Sequence, residues 1–503
     1  MATIKEEEAM NFREYNQEQG QFIPLILTKA IEEDHPARVI NDIIEALDIS
    51  GIYDYYSKEG NPSYHPLMML KVLFYCYMIG VFSCRKIRDR LEDYNLPLLY
   101  LAAGNMPSFT TINNFRKRHL SALPAIFTQI VLLCIELRMV DFGFLAIDGQ
   151  KIHANASFRQ SKTNKDLRKE IERIEQQMKE LLTREPAEDE DEETRKKELA
   201  LFNRKNKIEQ AIKELKERTR DEDDEEKKNK MRINVTDKDA PVMTHKDGTK
   251  KPSYETYTAV DSLFQIITAF DCNSNYNETH ETIPLIIQSS INCGGEFHRI
   301  AGLDSGFSSL ENLLKMSALP LDILMPDRLF EKWARDDKDM EFDKSKFVLD
   351  TTTRSVACPM GSPMKLISTS VRDAYTRRIY RGTSCENCPV KAMCTKGKAR
   401  TITIDSRDEL QTKMREKLIE ESNKNEYKKR MYTVEPVFGN MQKNKGWKQF
   451  HLRGKEKTKG EFGLQVISHN LKKIVLHMHE LTIDLKLAID KMVAQYSLMA
   501  VPM

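Results

Sequence analysis

Two short apolar runs in this chain each stop at an aspartate beside a glycine. Phe144-Leu-Ala-Ile147 is followed by Asp148-Gly149, and Arg299-Ile-Ala-Gly-Leu303 by Asp304-Ser-Gly-Phe307. An apolar run of this length reads as a buried strand. The mouth of a strand in an open sheet is where catalytic groups are placed. Asp-Gly is also an ordinary turn, so either aspartate alone has a structural reading, but the recurrence points to carboxylate chemistry. A second set of reactive side chains is Cys358, Cys385, Cys388 and Cys394. The Cys385-Glu-Asn-Cys388 spacing lets two thiolates reach one tetrahedral ion, with Cys394 and Cys358 as further ligands. A structural zinc site is one reading of that cluster, and reduced buried thiols are the other.

The third set is basic. Lys428, Lys429, Arg430, Lys443, Lys445, Lys448, Arg453, Lys455, Lys457 and Lys459 form the densest basic block in the chain, with Trp447 and Phe450 among them. Ammonium and guanidinium groups release counterions from a phosphate backbone, and aromatic rings stack on exposed bases. A smaller basic group, Arg116, Lys117 and Arg118, ends the stretch that begins at Ser108.

The elements that must position these groups follow from pattern. Residues 1–140 read as helical. Pro66 opens a helix with Leu67, Leu70, Phe74 and Tyr77 on one face, and Gly80 ends it. Ser83 starts a short helix, and Ser108 or Thr110 caps a polar-basic one. Short helix, turn and polar-basic helix would enter a major groove as a helix-turn-helix; a plain helical bundle with a solvated basic face is the alternative. Residues from about Lys162 to Lys230 are dominated by Lys, Arg, Glu, Asp and Gln, with apolar seams at Ile171, Ile174, Met178 and Leu181 and at Leu201, Ile208, Ile212 and Leu215, split by the acidic loop Glu185–Glu193. They predict a helical hairpin, either an arm for a partner subunit or a solvated protrusion. Strands resume at Tyr257–Val260 and Gln265–Phe270, and Leu321–Pro326 adds another. Further on, Thr433 is a candidate cap for a helix whose first turn holds Glu435, with Pro436 tolerated at that end.

Composition limits the classes. The chain has 503 residues, 40% hydrophobic and 31% charged, enough for a large core and more than one domain. Its net charge of +2 hides acidic runs that mask the basic blocks. Nine unevenly spaced cysteines do not form a secreted disulfide framework. The apolar stretch Leu67–Gly80 is too short to span a bilayer and carries Lys71. A soluble intracellular protein is the expectation.

The order of helical region, strand-Asp-Gly, strand-Asp-x-Gly-Phe and Tyr427-Lys-Lys-Arg430-Met-Tyr-Thr-Val-Glu435 resembles the DDE transposases of bacterial insertion sequences. Pro66-Leu-Met-Met-Leu-Lys71, Ser108-Phe-Thr-Thr-Ile-Asn-Asn-Phe-Arg116 and Phe450-His-Leu-Arg-Gly-Lys455 are similar to that family as well. The spacing departs at one place. Four residues separate Arg430 from Glu435 and seven separate Glu435 from Lys443, one more in each case than in the best-known members.

The resemblance implies an α/β fold with an RNase H-like catalytic core on which Asp148, Asp304 and Glu435 hold two Mg²⁺ ions, with Mn²⁺ a possible substitute. Two such ions, roughly 3.5–4 Å apart, activate the attacking oxygen and stabilise the leaving one in an in-line displacement at phosphorus. The implied organisation is a helical DNA-binding domain (1–140), the core in parts (141–158, 231–330 and 406–503), a charged helical-hairpin insert (159–230) and a cysteine-bearing insertion (331–405). Arg116, Lys117, Arg118, Tyr427, Arg430, Lys443, Lys445, Trp447, Lys448 and Arg453 are the expected DNA contacts. The partners implied are double-stranded DNA, both the element's terminal inverted repeats and its target, and a second copy of the chain or a higher multimer, with no membrane. The implied location is cytoplasmic, at the bacterial nucleoid. A binding-only derivative, or a nuclease of the same fold that hydrolyses without joining, is the alternative reading.

Overall fold

The computed structural model describes residues 27–56, 63–182, 192–274, 278–335, 337, 340–350, 355–372, 374–480 and 483–499. The loop expected at Glu185–Glu193 falls mostly outside them. The principal helices are α1 (Pro36–Glu45), α2 (Pro66–Met78), α3 (Cys84–Glu92), α4 (Leu96–Leu101), α5 (Phe109–Arg118), α6 (Leu123–Glu136), α7 (Asn164–Leu182), α8 (Glu192–Arg218), α9 (Thr282–Asn292), α10 (Asp408–Ile419), α11 (Glu421–Gly439), α12 (Lys455–His477) and α13 (Leu485–Met499). The strands are β1 (Phe144–His153), β2 (Ser161–Thr163), β3 (Arg232–Asn234), β4 (Val242–Thr244), β5 (Lys250–Asp261), β6 (Ile267–Asn273), β7 (Ile300–Leu303), β8 (Asp322–Leu324), β9 (Val348–Asp350), β10 (Ser355–Ala357), β11 (Pro363–Arg372), β12 (Tyr375–Gly382) and β13 (Thr401–Asp405).

Helix α2 is not amphipathic as its spacing suggested: all its residues but Leu67 are buried, Lys71 included. A helix apolar on every side belongs in the middle of a core. Lys71 pairs there with Glu45 and donates to Asn41 Oδ1 at 2.7 Å. The helix-turn-helix expectation is also corrected. Between α3 and α5 stands a further helix, α4, because Asn95 caps it by accepting from Leu98 N and Pro97 suits its first turn. Ser108 caps α5 through Thr111 N at 3.1 Å.

The largest sheet runs β4-β5-β1-β7-β8, with β6 also on β5. Strand β5 is antiparallel to β1 and to β6, whereas β7 is parallel to β1 and β8 parallel to β7. Helix α12 lies between this sheet and the N-terminal helices, packing on β6, α2 and α6. Its close approach uses glycines: a Cβ on Gly460 would meet Leu120 at 2.7 Å. Asn470 on α12 satisfies both the N–H and the C=O of Ile267 in β6, at 2.9 and 2.8 Å. The N-terminal helices, α12 and one face of the sheet therefore share a single apolar core.

Two units project from this body. Helices α7 and α8 pack through Leu167, Ile174, Ile208, Ala211 and Leu215, and Ile233 and Val235 from β3 and the residues after it close their base. Strands β9 to β13 form a separate five-stranded antiparallel sheet. Among the described residues no single helix is long and apolar enough to cross a membrane.

Candidate active site

The parallel pairing of β1 with β7 ends at Ile147 opposite Leu303. The next residue on each strand is an aspartate, so Asp148 and Asp304 emerge side by side. Their local structures differ from the shared strand-then-turn expectation. Asp304 does leave its strand and caps the short turn Ser305–Phe307, its Oδ1 accepting from Ser305 N at 2.6 Å. Asp148 stays inside β1, opposite Thr258 of β5, and Gly149 is a strand residue opposite Tyr257. The glycine there serves packing and not a turn: a Cβ would stand 3.0 Å from the Tyr257 ring.

Helix α11 lies across this strand pair. Tyr427 and Arg430 are three residues apart and so face the same way. The Tyr427 hydroxyl donates to Leu303 O at 3.1 Å, and Arg430 Nη1 donates to Asp148 Oδ2 at 3.0 Å. Asp148 Oδ1 accepts from Gly149 N at 2.8 Å. Burial raises the Asp148 carboxyl above the usual carboxylate range, Arg430 and the Gly149 N–H oppose that, and the charge of Asp304 adds to it. Burial likewise pushes the Tyr427 phenol up to about 12. The site thus holds two carboxylates against one guanidinium. Such a surplus of negative charge in a partly desolvated place favours a cation with oxygen ligands.

Glu435 does not stand with them. It is exposed, and successive helical positions turn by about 100°, which puts it about 80° from Tyr427 and about 140° from Arg430 around α11. Among the described residues no three His, Cys, Asp or Glu side chains are gathered to hold a metal ion. The expected cap at Thr433 is corrected too. Thr433 is internal to α11, its hydroxyl donating to Lys429 O, and Pro436 sits in the helix interior. Proline there removes the N–H that would bond the carbonyl four residues earlier. That carbonyl, Tyr432 O, accepts instead from Gln265 Nε2 at 2.9 Å. A π-turn, Asn440–Asn444, follows, and Gln442 ties it to Gln150 of β1 at 2.7 Å.

The expected DNA contacts divide by burial. Arg116 is interior: its guanidinium donates to Tyr77 Oη at 2.8 Å, Phe82 O at 3.3 Å and Asn113 Oδ1 at 2.9 Å. It shares the inward face of α5 with Ile112 and Phe115, so only Lys117 and Arg118 of that group are exposed. Trp447 is 1% exposed, stacked on Phe462 at 5.8 Å and edge-on to Phe450 at 5.2 Å, so it anchors the segment and stacks on no base. Lys445 is buried as well. Its Nζ has no partner, and burial with Lys472 nearby pushes it down to about 7. Lys443, Lys448 and Arg453 are exposed, and Arg453 Nε also donates to Asn155 O at 2.8 Å.

Tertiary structure adds what chain order did not single out. Lys117 and Arg118 line one groove with Lys457 and Lys459 of α12. Lys459 is held there by Asp271 at 2.7 Å. The two lysines were visible within the basic block, but nothing in the chain order joins them to α5. Tyr427 and Arg430, expected at DNA, serve the aspartate pair in this structure.

Against known families, residues 25–118 match a transposase domain of the DUF772 family and residues 357–475 match a transposase DDE domain. The second match includes Tyr427, Arg430 and Glu435, whereas Asp148 and Asp304 lie between the two. No curated protein and no solved structure matches the chain significantly. The matches at both the N-terminal helices and the C-terminal part indicate an insertion-sequence transposase of the DDE family.

Proposed function

We propose that this protein cuts DNA at the ends of its insertion sequence and joins those ends to a target, using divalent metal ions. The observation that carries this reading is the pair Asp148 and Asp304 on adjacent parallel strands, crossed by a helix from the matched DDE region. The strand order β6-β5-β1-β7-β8, with β5 alone antiparallel to β1, supports an RNase H-like core.

Asp148 and Asp304 would hold the metal, with Glu435 as the third carboxylate. Oxygen donors of this kind fit Mg²⁺, with Mn²⁺ as a substitute. Bound there, the metal lowers the barrier to displacement at phosphorus by stabilising charge on the attacking and leaving oxygens. The chain's own part is to present the two carboxylates at fixed register and to hold Asp148 through Arg430 when no ion is bound. Glu435 would join the pair through a change of helical phase between Arg430, which holds Asp148, and Glu435.

Residues 1–140 would act as the DNA-binding part, 159–230 as an inserted hairpin, 331–405 as a cysteine-bearing insertion, and the remaining segments as the catalytic core. Double-stranded DNA would run over Lys117, Arg118, Lys443, Lys448 and Arg453, and two or more copies would pair the element's ends. A second reading, a DNA-binding derivative that does not cut, is favoured by the position of Glu435 away from the pair.

The deciding experiment is Mg²⁺-dependent cleavage of DNA carrying the element's own ends, comparing wild type with Asp148→Asn, Asp304→Asn and Glu435→Gln. Loss of cutting in all three with end binding retained supports the three-carboxylate site. Cutting that survives Glu435→Gln removes that residue from it. Tight binding without cutting by wild type favours the second reading, and cutting without joining of a labelled end favours a nuclease.

A further inference from the structure

The β9–β13 sheet has little to hold it together by burial. Its buried core is Phe347, Val356, Met364, Tyr380 and Ile402, with Cys358 and Ile404 partly buried against it. Strand β11 is exposed along nearly its whole length. An antiparallel unit with so few buried side chains falls short of the apolar area that offsets chain entropy, and small units of this kind are held by disulfides or metals.

At one end of this sheet Cys358, Cys385, Cys388 and Cys394 line a single cavity. They come from three separate places. Cys358 opens a tight turn in which Gly361 N donates to Cys358 O at 2.8 Å and Cys358 N to Ser362 O at 2.9 Å, with Gly361 at φ +73°. Cys385 and Cys388 follow β12, and Cys394 ends the short helix Lys391–Cys394. The thiol of Cys394 is within electrostatic reach of the other three. Arg400 N points at Cys385 Sγ from 3.5 Å. A Cβ at position 382 would stand 2.4 Å from that sulfur, so glycine is needed beside it.

The donor set is uniform. Among the described residues no histidine or carboxylate lines the cavity, and the four free thiols are partly exposed, whereas the five free cysteines elsewhere are buried. Four thiolates, two of them in a Cys-x-x-Cys turn, select a soft tetrahedral ion and discriminate against Mg²⁺. In the present side-chain positions they are not yet gathered as a metal-holding group. The turns that carry them already line one space.

We propose that Cys358, Cys385, Cys388 and Cys394 bind one zinc ion, and that this ion, in place of a larger apolar core, keeps the β9–β13 sheet folded. The proposal stands apart from the DNA chemistry, so its test reads metal and folding only. Elemental analysis of the purified full chain is expected to give one zinc per chain, retained by Asp148→Asn and by Cys84→Ala but lost from Cys385→Ser/Cys388→Ser. Wild-type protein exchanged with Co²⁺ should show the sulfur-to-cobalt charge-transfer and ligand-field bands of a tetrahedral thiolate site, a readout that needs no variant to fold. Chelation should expose residues 355–405 to limited proteolysis while the main body resists. A metal-free chain from zinc-supplied cells, a disulfide among these four cysteines, or a cobalt spectrum without thiolate bands would overturn the site. Unchanged proteolysis after zinc removal would overturn its structural role.

Discussion

At the scale of single residues, the aspartate pair and the buried Lys445 carry the testable chemistry. Asp148→Asn and Asp304→Asn keep side-chain shape but remove the charge that attracts a cation. Each is expected to lower end cleavage by at least about a hundredfold, the effect of losing one charge-stabilising group in an active site; gel-shift assays should show end binding within twofold of wild type. Lys445 makes a different prediction. Its folded value of about 7 lies below the ordinary 10.5, so between these pH values the unfolded chain binds more protons than the native one. Stability therefore falls as pH drops from about 10.5 towards about 7 and its Lys445 component is flat below that. Lys445→Met, of similar length, removes an unpartnered buried donor and should stabilise by about 1–3 kcal/mol at neutral pH. Urea melts at pH 7 and pH 9.5 would show the gain shrinking with rising pH; a gain independent of pH would contradict a neutralised lysine.

Elements decide how those residues meet. Strand β7 lies against β1 with Gly302 facing Phe144, whose ring a Cβ would approach to 2.4 Å. Gly302→Ala forces the Phe144 ring or the strands themselves to shift, two residues before Asp304. Overpacking of this kind costs about 1–3 kcal/mol, and cleavage should fall by more than the loss of folded protein explains. Helix α11 offers a cycle of its own. Gln265→Ala strips the donor from Tyr432 O and is expected to cost about 1 kcal/mol. In a Pro436→Ala background the restored N–H serves the same carbonyl, so the Gln265 change should there cost less, what remains being the loss of Gln265 Oε1 as acceptor for Lys473 Nζ at 2.8 Å. Equal costs in both backgrounds, measured by denaturant melts, would show that Gln265 does not stand in for the missing donor.

Over the whole molecule, the shared core sets α5 beside the start of α12 and so joins two basic segments that are far apart in the chain. Lys117→Ala and Lys457→Ala, both in the groove of Lys117, Arg118, Lys457 and Lys459, should weaken binding to every DNA sequence alike. Each should also reduce the slope of log affinity against log salt by about 1 if its ammonium neutralises a phosphate. Arg116→Ala should behave oppositely. It leaves the Tyr77 hydroxyl and Phe82 carbonyl without their donor inside the core, so thermal stability falls while the salt slope of the folded fraction is unchanged. A salt slope that moves with Arg116 and not with Lys117 would place the DNA elsewhere.

The chain order by itself determined the strands that lead to Asp148 and Asp304, the charged hairpin, the Cys-x-x-Cys spacing and the basic blocks, because side-chain type and short-range periodicity are local properties. It also carried the likeness to insertion-sequence transposases, through motifs that are contiguous in the chain. Only the tertiary structure decided which way those residues face. Arg116, Lys445 and Trp447 read as surface groups by composition, yet packing turned them inward, since burial depends on other elements that the local pattern does not contain. The neighbouring of Asp148 and Asp304 rests on a parallel register between β1 and β7, and the direction of Glu435 on the phase of a helix interrupted by Pro436. Register and phase are set by contacts between distant elements, which no local pattern encodes.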